Sequence, residues 1–213
     1  MKLFSIAVFL LLCMGTYAQE KFNNVYYDPD GNISNTVITV DDGFVVLTGT
    51  SVNGGRGIGF SMINHSGTLL YKNSYKLDNY ECYEAYYNCL KYSDTGNYYY
   101  MCGTAVENNT SEIVPFLVLL DDNLDTLSFN QIEIDSVYGV YDVIQYNDSI
   151  FAIAAENILP DDYEMGLLLY NINDPTHTIK TGYGVDGIIS NEVGTEIIKT
   201  HDNKLLLGGF TFG

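Results

Sequence analysis

The sequence predicts an all-β repeat protein, and three observations carry that prediction. An apolar strand, an Asp-containing turn and a second apolar strand recur four times, at 37–50, 89–104, 143–155 and 197–209. Asp94, Asp148 and Asp202 stand 54 residues apart, and Asp42 lies 52 residues before Asp94. Helical periodicity is nearly absent, while short apolar runs punctuated by Gly, Asn, Asp and Ser fill the chain. A fixed period near 50 residues marks an array of supersecondary units, each too small to bury its apolar face alone. The period specifies a fold class; a molecular function does not follow from it.

In the first unit the strands are expected at 36–40, 44–50, 58–63 and 68–75. Turns at Asp41-Asp42-Gly43 and Asn64-His65-Ser66-Gly67 close its two hairpins, since Asx and Gly supply the local hydrogen bonds and the positive φ that tight turns need. Gly54-Gly55-Arg56-Gly57 is read as the link between them. The second unit spans 86–134, with Phe116 to Leu120 as third strand and Asp121 to Asp125 as its turn. The third spans 140–183, with Gly166 to Tyr170 followed by the turn Asn171 to Pro175, and the fourth reaches Gly213 inside or just after its second strand. Four short antiparallel strands per unit are the pattern of a β-propeller blade. Blades are thus expected at 34–80, 86–136, 140–186 and, in part, 190–213, with a β-sandwich as the alternative. Propellers close with about four to eight blades, so residues 19–213 read as an incomplete ring, the N-terminal part of a longer polypeptide.

Residues 1–18 read as a signal peptide. Lys2 supplies the positive start, Leu3 to Met14 the apolar stretch, and Thr16-Tyr17-Ala18 the small-residue junction before Gln19. The apolar run is shorter than the roughly 18–20 residues a membrane span needs. The other long apolar run, Ile113 to Leu120, reads as a buried strand. The expected location is secreted or at the cell surface, with no membrane insertion once the signal is cleaved.

The chain has 27 acidic and 9 basic side chains, a net charge of −18. That balance repels nucleic acid and anionic membrane, whose binding rests on basic patches. Hydrophobic content of 46% with 14% aromatics excludes a disordered chain.

Cysteine usage points to one pairing. Cys82, Cys89 and Cys102 follow the signal segment, and thiols outside the cytoplasm can pair. Cys89 and Cys102 flank the turn Asp94-Thr95-Gly96-Asn97. Pairing Ser93 with Tyr98 and stepping outward sets them opposite each other, which makes them the disulfide candidate. Two small buried thiols are the other reading, because one cysteine is left over whichever pair forms.

Residues able to do chemistry are present without a pattern that nominates a catalytic, cofactor or metal site. His65, His177 and His201 all fall in turns and share no ligand spacing. Ser61 in G-F-S-M-I lacks the second Gly of a nucleophile elbow. Gly54 to Gly59 has neither the spacing nor the following helix of a phosphate loop, and reads as a flexible loop. Asp28-x-Asp30-Gly31-Asn32 resembles the start of a calcium loop, but Thr39 stands where the closing Glu belongs, and a plain turn is favoured. Carboxylates are too many for a glycosidase pair to be picked out. Seven tyrosines crowd the second unit, Tyr83, Tyr86, Tyr87, Tyr92, Tyr98, Tyr99 and Tyr100. Their rings suit sheet packing first and stacking on sugars or protein partners second.

The first unit, D-D-G-F-V-V-L-T-G-T followed by G-F-S-M-I-N-H-S-G-T-L-L-Y-K-N-S-Y, resembles a repeat of exported bacterial proteins of the Bacteroidota type. In that repeat an Asp-Gly-Gly turn leads into an apolar strand ending in Gly-Thr, then a second hairpin. The resemblance covers residues 34–213 and implies a β-propeller, often followed by a C-terminal sorting domain for type IX secretion. The chain departs from it in two ways: it has no Trp, with Tyr71 and Phe129 standing in the fourth strand, and Ala155-Glu156 replaces Gly-Thr in the third unit. Asp125-Thr126-Leu127, Asp135-Ser136-Val137 and Asp148-Ser149-Ile150 resemble O-glycan acceptors of such proteins. Asn32, Asn64, Asn108, Asn109 and Asn147 lie in sequons that matter only in a eukaryotic source.

The expected function is a non-catalytic scaffold that binds or adheres to an extracellular protein or glycan. Alternatives are the N-terminal part of a secreted glycan-acting hydrolase and a structural cell-surface component. One fold hosts many functions, so the residues of a site must decide among these.

Overall fold

The computed structural model describes residues 33–85, 89–134, 136–159, 162–183 and 191–212. The signal segment Met1 to Ala18, the Asp28 to Asn32 turn, Asp135, and the pair Tyr86 and Tyr87 lie outside the described residues. What is described is all-β, with four antiparallel sheets in sequence order. The first holds β1 (Ile33–Val40), β2 (Gly43–Val52), β3 (Gly55–Asn64) and β4 (Leu69–Tyr75). The second holds β5 (Tyr80–Glu84), β6 (Leu90–Tyr92), β7 (Tyr99–Glu107), β8 (Ile113–Leu120) and β9 (Thr126–Gln131). The third holds β10 (Val137–Gln145), β11 (Ile150–Leu159), β12 (Asp162–Asn171) and β13 (Ile179–Tyr183), and the last β14 (Asn191–Lys199) and β15 (Leu205–Phe212).

The first three sheets are meanders and the last is a hairpin, and several of their turns are closed by Asx side chains. Asn64 Oδ1 accepts from the Ser66 and Thr68 amides at 3.0 and 2.8 Å, and Asp121 Oδ1 accepts from the Asn123 and Asp125 amides at 2.9 Å each. Both are Asx turns. Of the Gly54 to Gly59 run, expected as a flexible loop, Gly54 is in a turn and Gly55 to Gly59 are strand. Val52 pairs with Gly55 across a two-residue turn at Asn53 and Gly54, both in the left-handed region (φ 51° and 77°). That turn matches the natural twist of a hairpin, so β3 begins at once. Its glycines serve packing: a Cβ on Gly59 would lie 2.7 Å from Thr48 Oγ1.

The burial pattern shows the order in which the sheets stack. Along β2, on the first sheet, buried and half-buried residues alternate, so one face is covered. Tyr99 to Gly103 on β7, Phe116 to Leu120 on β8 and Phe151 to Glu156 on β11 are buried without interruption. Those two sheets are therefore covered on both faces. On β11, Phe151, Ile153 and Ala155 pack toward the first two sheets, while Ala152 and Ala154 pack on Ile197 of β14. The leading strands β5, β10 and β14 each lie on the sheet before.

A bulge in the leading strand recurs with the repeat. Register slips between Ser34 and Thr36, between Val140 and Asp142, and between Gly194 and Glu196. In the second sheet the interruption is larger: Glu84 pairs with Gly103, yet Leu90 already pairs with Met101. The extra residues shift the sequence phase there. Consequently the second sheet starts at Tyr80, ahead of residue 86 where the repeat period puts it. Bulges turn the strand and re-aim the next side chain. That side chain is Thr36, Cys89, Asp142 or Glu196 in the four sheets.

Candidate ligand cleft between the first two sheets

Three of these post-bulge residues join neighbouring sheets. Thr36 Oγ1 and Cys89 Sγ approach to 3.8 Å across 53 residues of sequence. The buried Asp142 does more. Its Oδ1 accepts from Lys91 Nζ at 2.7 Å and from the Val143 amide at 2.8 Å, and its Oδ2 accepts from the Ile197 amide at 2.9 Å. One carboxylate thereby ties the second, third and fourth sheets. Burial raises its pKa, with the Lys91 ammonium and the two amides opposing. A buried carboxylate needs this full set of partners.

The candidate disulfide residues belong to the same row. Leu90 faces Met101 and the Cys102 amide donates to the Cys89 carbonyl at 3.3 Å, so Cys89 and Cys102 stand opposite each other. Cys82, Cys89 and Cys102 are free and buried. Burial pushes the Cys89 thiol up to about 12 and the Cys102 thiol well above its ordinary value. Desolvation thus opposes the thiolate form of both, the reverse of what activates a nucleophilic cysteine.

A concavity with suitable chemistry lies at the turn-bearing ends of the first two sheets. It is a cleft of about 740 Å³ between the β1–β2 turn, β4 and the β8–β9 turn. Tyr71, Tyr92 and Tyr99 supply rings, and Asp41, Asp42, Asp122, Asn64 and Asn123 supply oxygens and amides. Its walls are held by turns already described: the Asp121 turn carries Asp122 and Asn123, and Asn64 anchors the turn opposite. Between sheets, the Tyr75 hydroxyl donates to the Leu124 carbonyl at 2.6 Å and Asn73 Nδ2 donates to Asp125 Oδ1 at 3.0 Å. These bonds fix β4 against the second sheet's turn, and so fix the width of the cleft.

The tyrosines of the second unit divide between packing and exposure. Tyr99 and Tyr100 are buried, and Tyr100 meets Phe151 edge-on at 5.2 Å between the second and third sheets. Tyr92 is exposed, its ring 4.8 Å from Tyr99 at 63° and its hydroxyl donating to Asp122 Oδ1 at 3.2 Å. Desolvation and the acidic neighbours raise both phenols, Tyr99 to about 12. Each therefore stays a neutral hydroxyl at physiological pH. Among the described residues, no Lys, Arg or His lines the cleft, and His65 reaches only the Asp41 carbonyl at its wall. With rings, hydroxyls and carboxylate acceptors but no cation, the cleft suits a neutral polyhydroxyl ligand and repels an anionic one.

Of the histidines singled out in the sequence, His65 touches the cleft wall, its Nε2 3.0 Å from the Asp41 carbonyl, while His201 is exposed in a turn and His177 is exposed at the end of the 3-10 turn Pro175–His177. Ser61 is in β3 between Val46 and Lys72. Among the described residues no three His, Cys, Asp or Glu side chains converge as metal ligands. The Ala155-Glu156 departure has a structural account. Glu156 takes the place that Thr104 holds in the second sheet, and its carboxylate accepts from the Tyr141 hydroxyl at 2.6 Å. Asp142, Lys91, Arg56 and Glu84 were not candidates in the sequence. For Asp142 a signal exists: Thr36, Cys89 and Asp142 recur at 53-residue spacing.

No family model matches the chain, and a search of curated proteins returns no match.

Proposed function

We propose that this chain is an exported scaffold of the β-propeller type that binds extracellular glycan without catalysis, through the cleft between its first two sheets. The observation that carries the reading is the cleft's composition: tyrosine rings beside Asp41, Asp42 and Asp122, with no cation among the described lining residues. Pyranose rings lay their C–H faces on aromatic rings while carboxylates and amides accept from their hydroxyls.

Several observations support the architecture. Three meanders and a hairpin follow one another, the leading strands β5, β10 and β14 rest on the sheet before, and the post-bulge residues Thr36, Cys89 and Asp142 lie at the contacts. A sandwich has two facing sheets, whereas serial stacking of similar sheets is how blades pack. Apolar residues stay exposed on the first and last sheets: Val37 on one, and Ile198, Leu206 and Phe210 on the other. In a ring these outer faces are covered by further blades. Export rests on the Lys2, Leu3 to Met14 and Ala18 pattern, and the kinship with Bacteroidota-type exported repeats rests on the first unit's motif.

A glycan array probed with fluorescently labelled protein tests the function. Binding confined to neutral glycans is the expected result. Retention of sulfated or sialylated glycans alone would contradict it, and release of reducing ends would replace binding by hydrolysis.

A further inference from the structure

The contact between the third and fourth sheets shows how one sheet receives the next. Ile197 of the fourth sheet packs on Ala152 and Ala154 of the third, with Ile144 beside them. In the register of the third sheet Ala152 pairs with Ile144 and Ala154 with Asp142. The fourth sheet repeats that register: Leu206 pairs with Ile198, and Gly208 with Glu196. Among the described residues no further sheet covers this face. Leu206 is 57% exposed, and Ile198, Gly208 and Glu196 are exposed beside it.

The opposite end of the stack carries the matching half. Ile197 follows the post-bulge residue of its strand and pairs with Leu207; Val143 and Val37 hold the same place, paired with Ile153 and Val46. Leu90 follows Cys89 in the second sheet. Leu90, Val143 and Ile197 are buried, whereas Val37 is 55% exposed. Val37 is thus the counterpart of Ile197 on a sheet that has none before it among the described residues.

The two uncovered faces therefore continue the contact that already joins the third and fourth sheets. We propose that a second copy of this chain docks head to tail, its first sheet packing on the last sheet of its neighbour as one more sheet in the stack. Val37 of the incoming copy packs on Leu206, Gly208 and Ile198, as Ile197 packs on Ala152, Ala154 and Ile144. The sizes suit this: Leu206 is larger than Ala152 and Val37 smaller than Ile197, and the space over Gly208 is open. Glu196 then accepts from the amide of the incoming Val37, as Asp142 Oδ2 accepts from the Ile197 amide at 2.9 Å. Two last sheets placed face to face would instead bury Glu196 of both copies without that amide. The contact is heterologous, so each copy uses one face and leaves the other for the next copy. It rests on the serial stacking of the sheets and not on the ligand of the cleft, so its failure leaves glycan binding untouched.

Analytical ultracentrifugation of the full chain, of Val37→Lys, of Leu206→Lys and of an equimolar mixture of the two variants tests it. The wild type should self-associate. Each variant alone spoils one side of every contact and should associate at least about tenfold more weakly, since a lysine would enter an apolar contact. The mixture keeps one sound pair of faces, the first sheet of the Leu206 variant and the last sheet of the Val37 variant. It should form a 1:1 dimer with the affinity of the wild type. Both positions are more than half exposed, so both variants should stay folded, which circular dichroism checks. Glu196→Lys, exposed on the same face, is a second last-sheet variant and should also be rescued by Val37→Lys. A wild type that is monomeric at every concentration overturns the docking. So does a Val37→Lys variant that associates like the wild type, or a mixture that stays monomeric; with Leu206→Lys impaired, either would assign the face to a contact between two last sheets.

Discussion

Lys91 Nζ and Asp142 Oδ1 lie 2.7 Å apart across the boundary between the second and third sheets, with the Asp142 side chain 1% and the Lys91 side chain 26% exposed. The contact converts a sequence repeat into a tertiary lock. Asp142 holds its own strand, the sheet before and the sheet after, so its partners cannot be lost singly without leaving a buried charge or an orphaned amide.

Lys91→Met should therefore cost about 3 kcal/mol at pH 7, the low end for breaking a buried pair because Lys91 keeps some of its surface in water. The pH dependence has a definite sign. The native pKa of Asp142 is raised, so between the ordinary carboxylate value and the native value the folded state holds more protons than the unfolded chain. Stability falls as pH rises through that window, and the loss is complete above it. Removing Lys91 raises the native value further, so the variant's deficit should shrink on acidification. Urea unfolding at pH 7 and pH 4.5 checks this; an equal deficit at both would mean that Lys91 acts through packing alone.

Gly103 and Gly208 should respond oppositely to Ala. A Cβ on Gly103 would lie 2.3 Å from Phe116 Cζ and 2.4 Å from the Tyr83 carbonyl, and Phe116 is fully buried. Gly103→Ala should cost about 1–3 kcal/mol through overpacking. On Gly208 the nearest atom is the Glu196 carbonyl at 3.9 Å, so Gly208→Ala should stay within about 0.5 kcal/mol. Thermal melts of the two variants measure the difference; equal losses would contradict the close approach at Gly103.

The strands of the first unit are legible in the sequence because each alternating apolar run sits between Asx and Gly turns that can adopt no other role. β8 is legible as a fully buried strand because Ile113 to Leu120 has no polar position facing water. The start of the second sheet is not, because the excursion between Glu84 and Leu90 breaks the phase. The Gly54 to Gly59 run misleads because composition suggests a loop, while only the neighbouring strands reveal that Gly57 and Gly59 have no room for side chains. Arg56 and Glu84, 28 residues apart, meet only when two sheets stack. The cleft is hidden for the same reason: Tyr71, Tyr92 and Asp122 come from different turns and strands, and no local pattern joins them.

Protein folded under oxidising conditions should carry a Cys89–Cys102 bridge, closing a short loop worth about 3 kcal/mol in the chain-entropy model. Once folded and reduced, both thiols should resist alkylation at pH 8, since burial keeps them protonated and covered. Non-reducing peptide mapping distinguishes the outcomes; Cys82 joined to either partner would contradict the cross-strand register.

The outer face of the last sheet should drive self-association. Ile198 and Leu206 pair directly and, with Phe210, leave about half of each side chain in water. Leu206→Lys should reduce the association measured by light scattering. A wild-type protein that stays monomeric at every concentration would argue against this face as a packing surface.

The most direct test of the account is calorimetric titration of the full chain with neutral oligosaccharides, beside a Tyr71→Ala, Tyr92→Ala double variant. Tyr71 and Tyr92 are both partly exposed in the cleft, so the variant should stay folded, with a small drop in melting temperature from the lost Tyr92–Tyr99 contact. The wild type should bind saturably and the variant at least about tenfold more weakly, as the removal of two stacking rings implies. Unchanged affinity in a folded variant would contradict it.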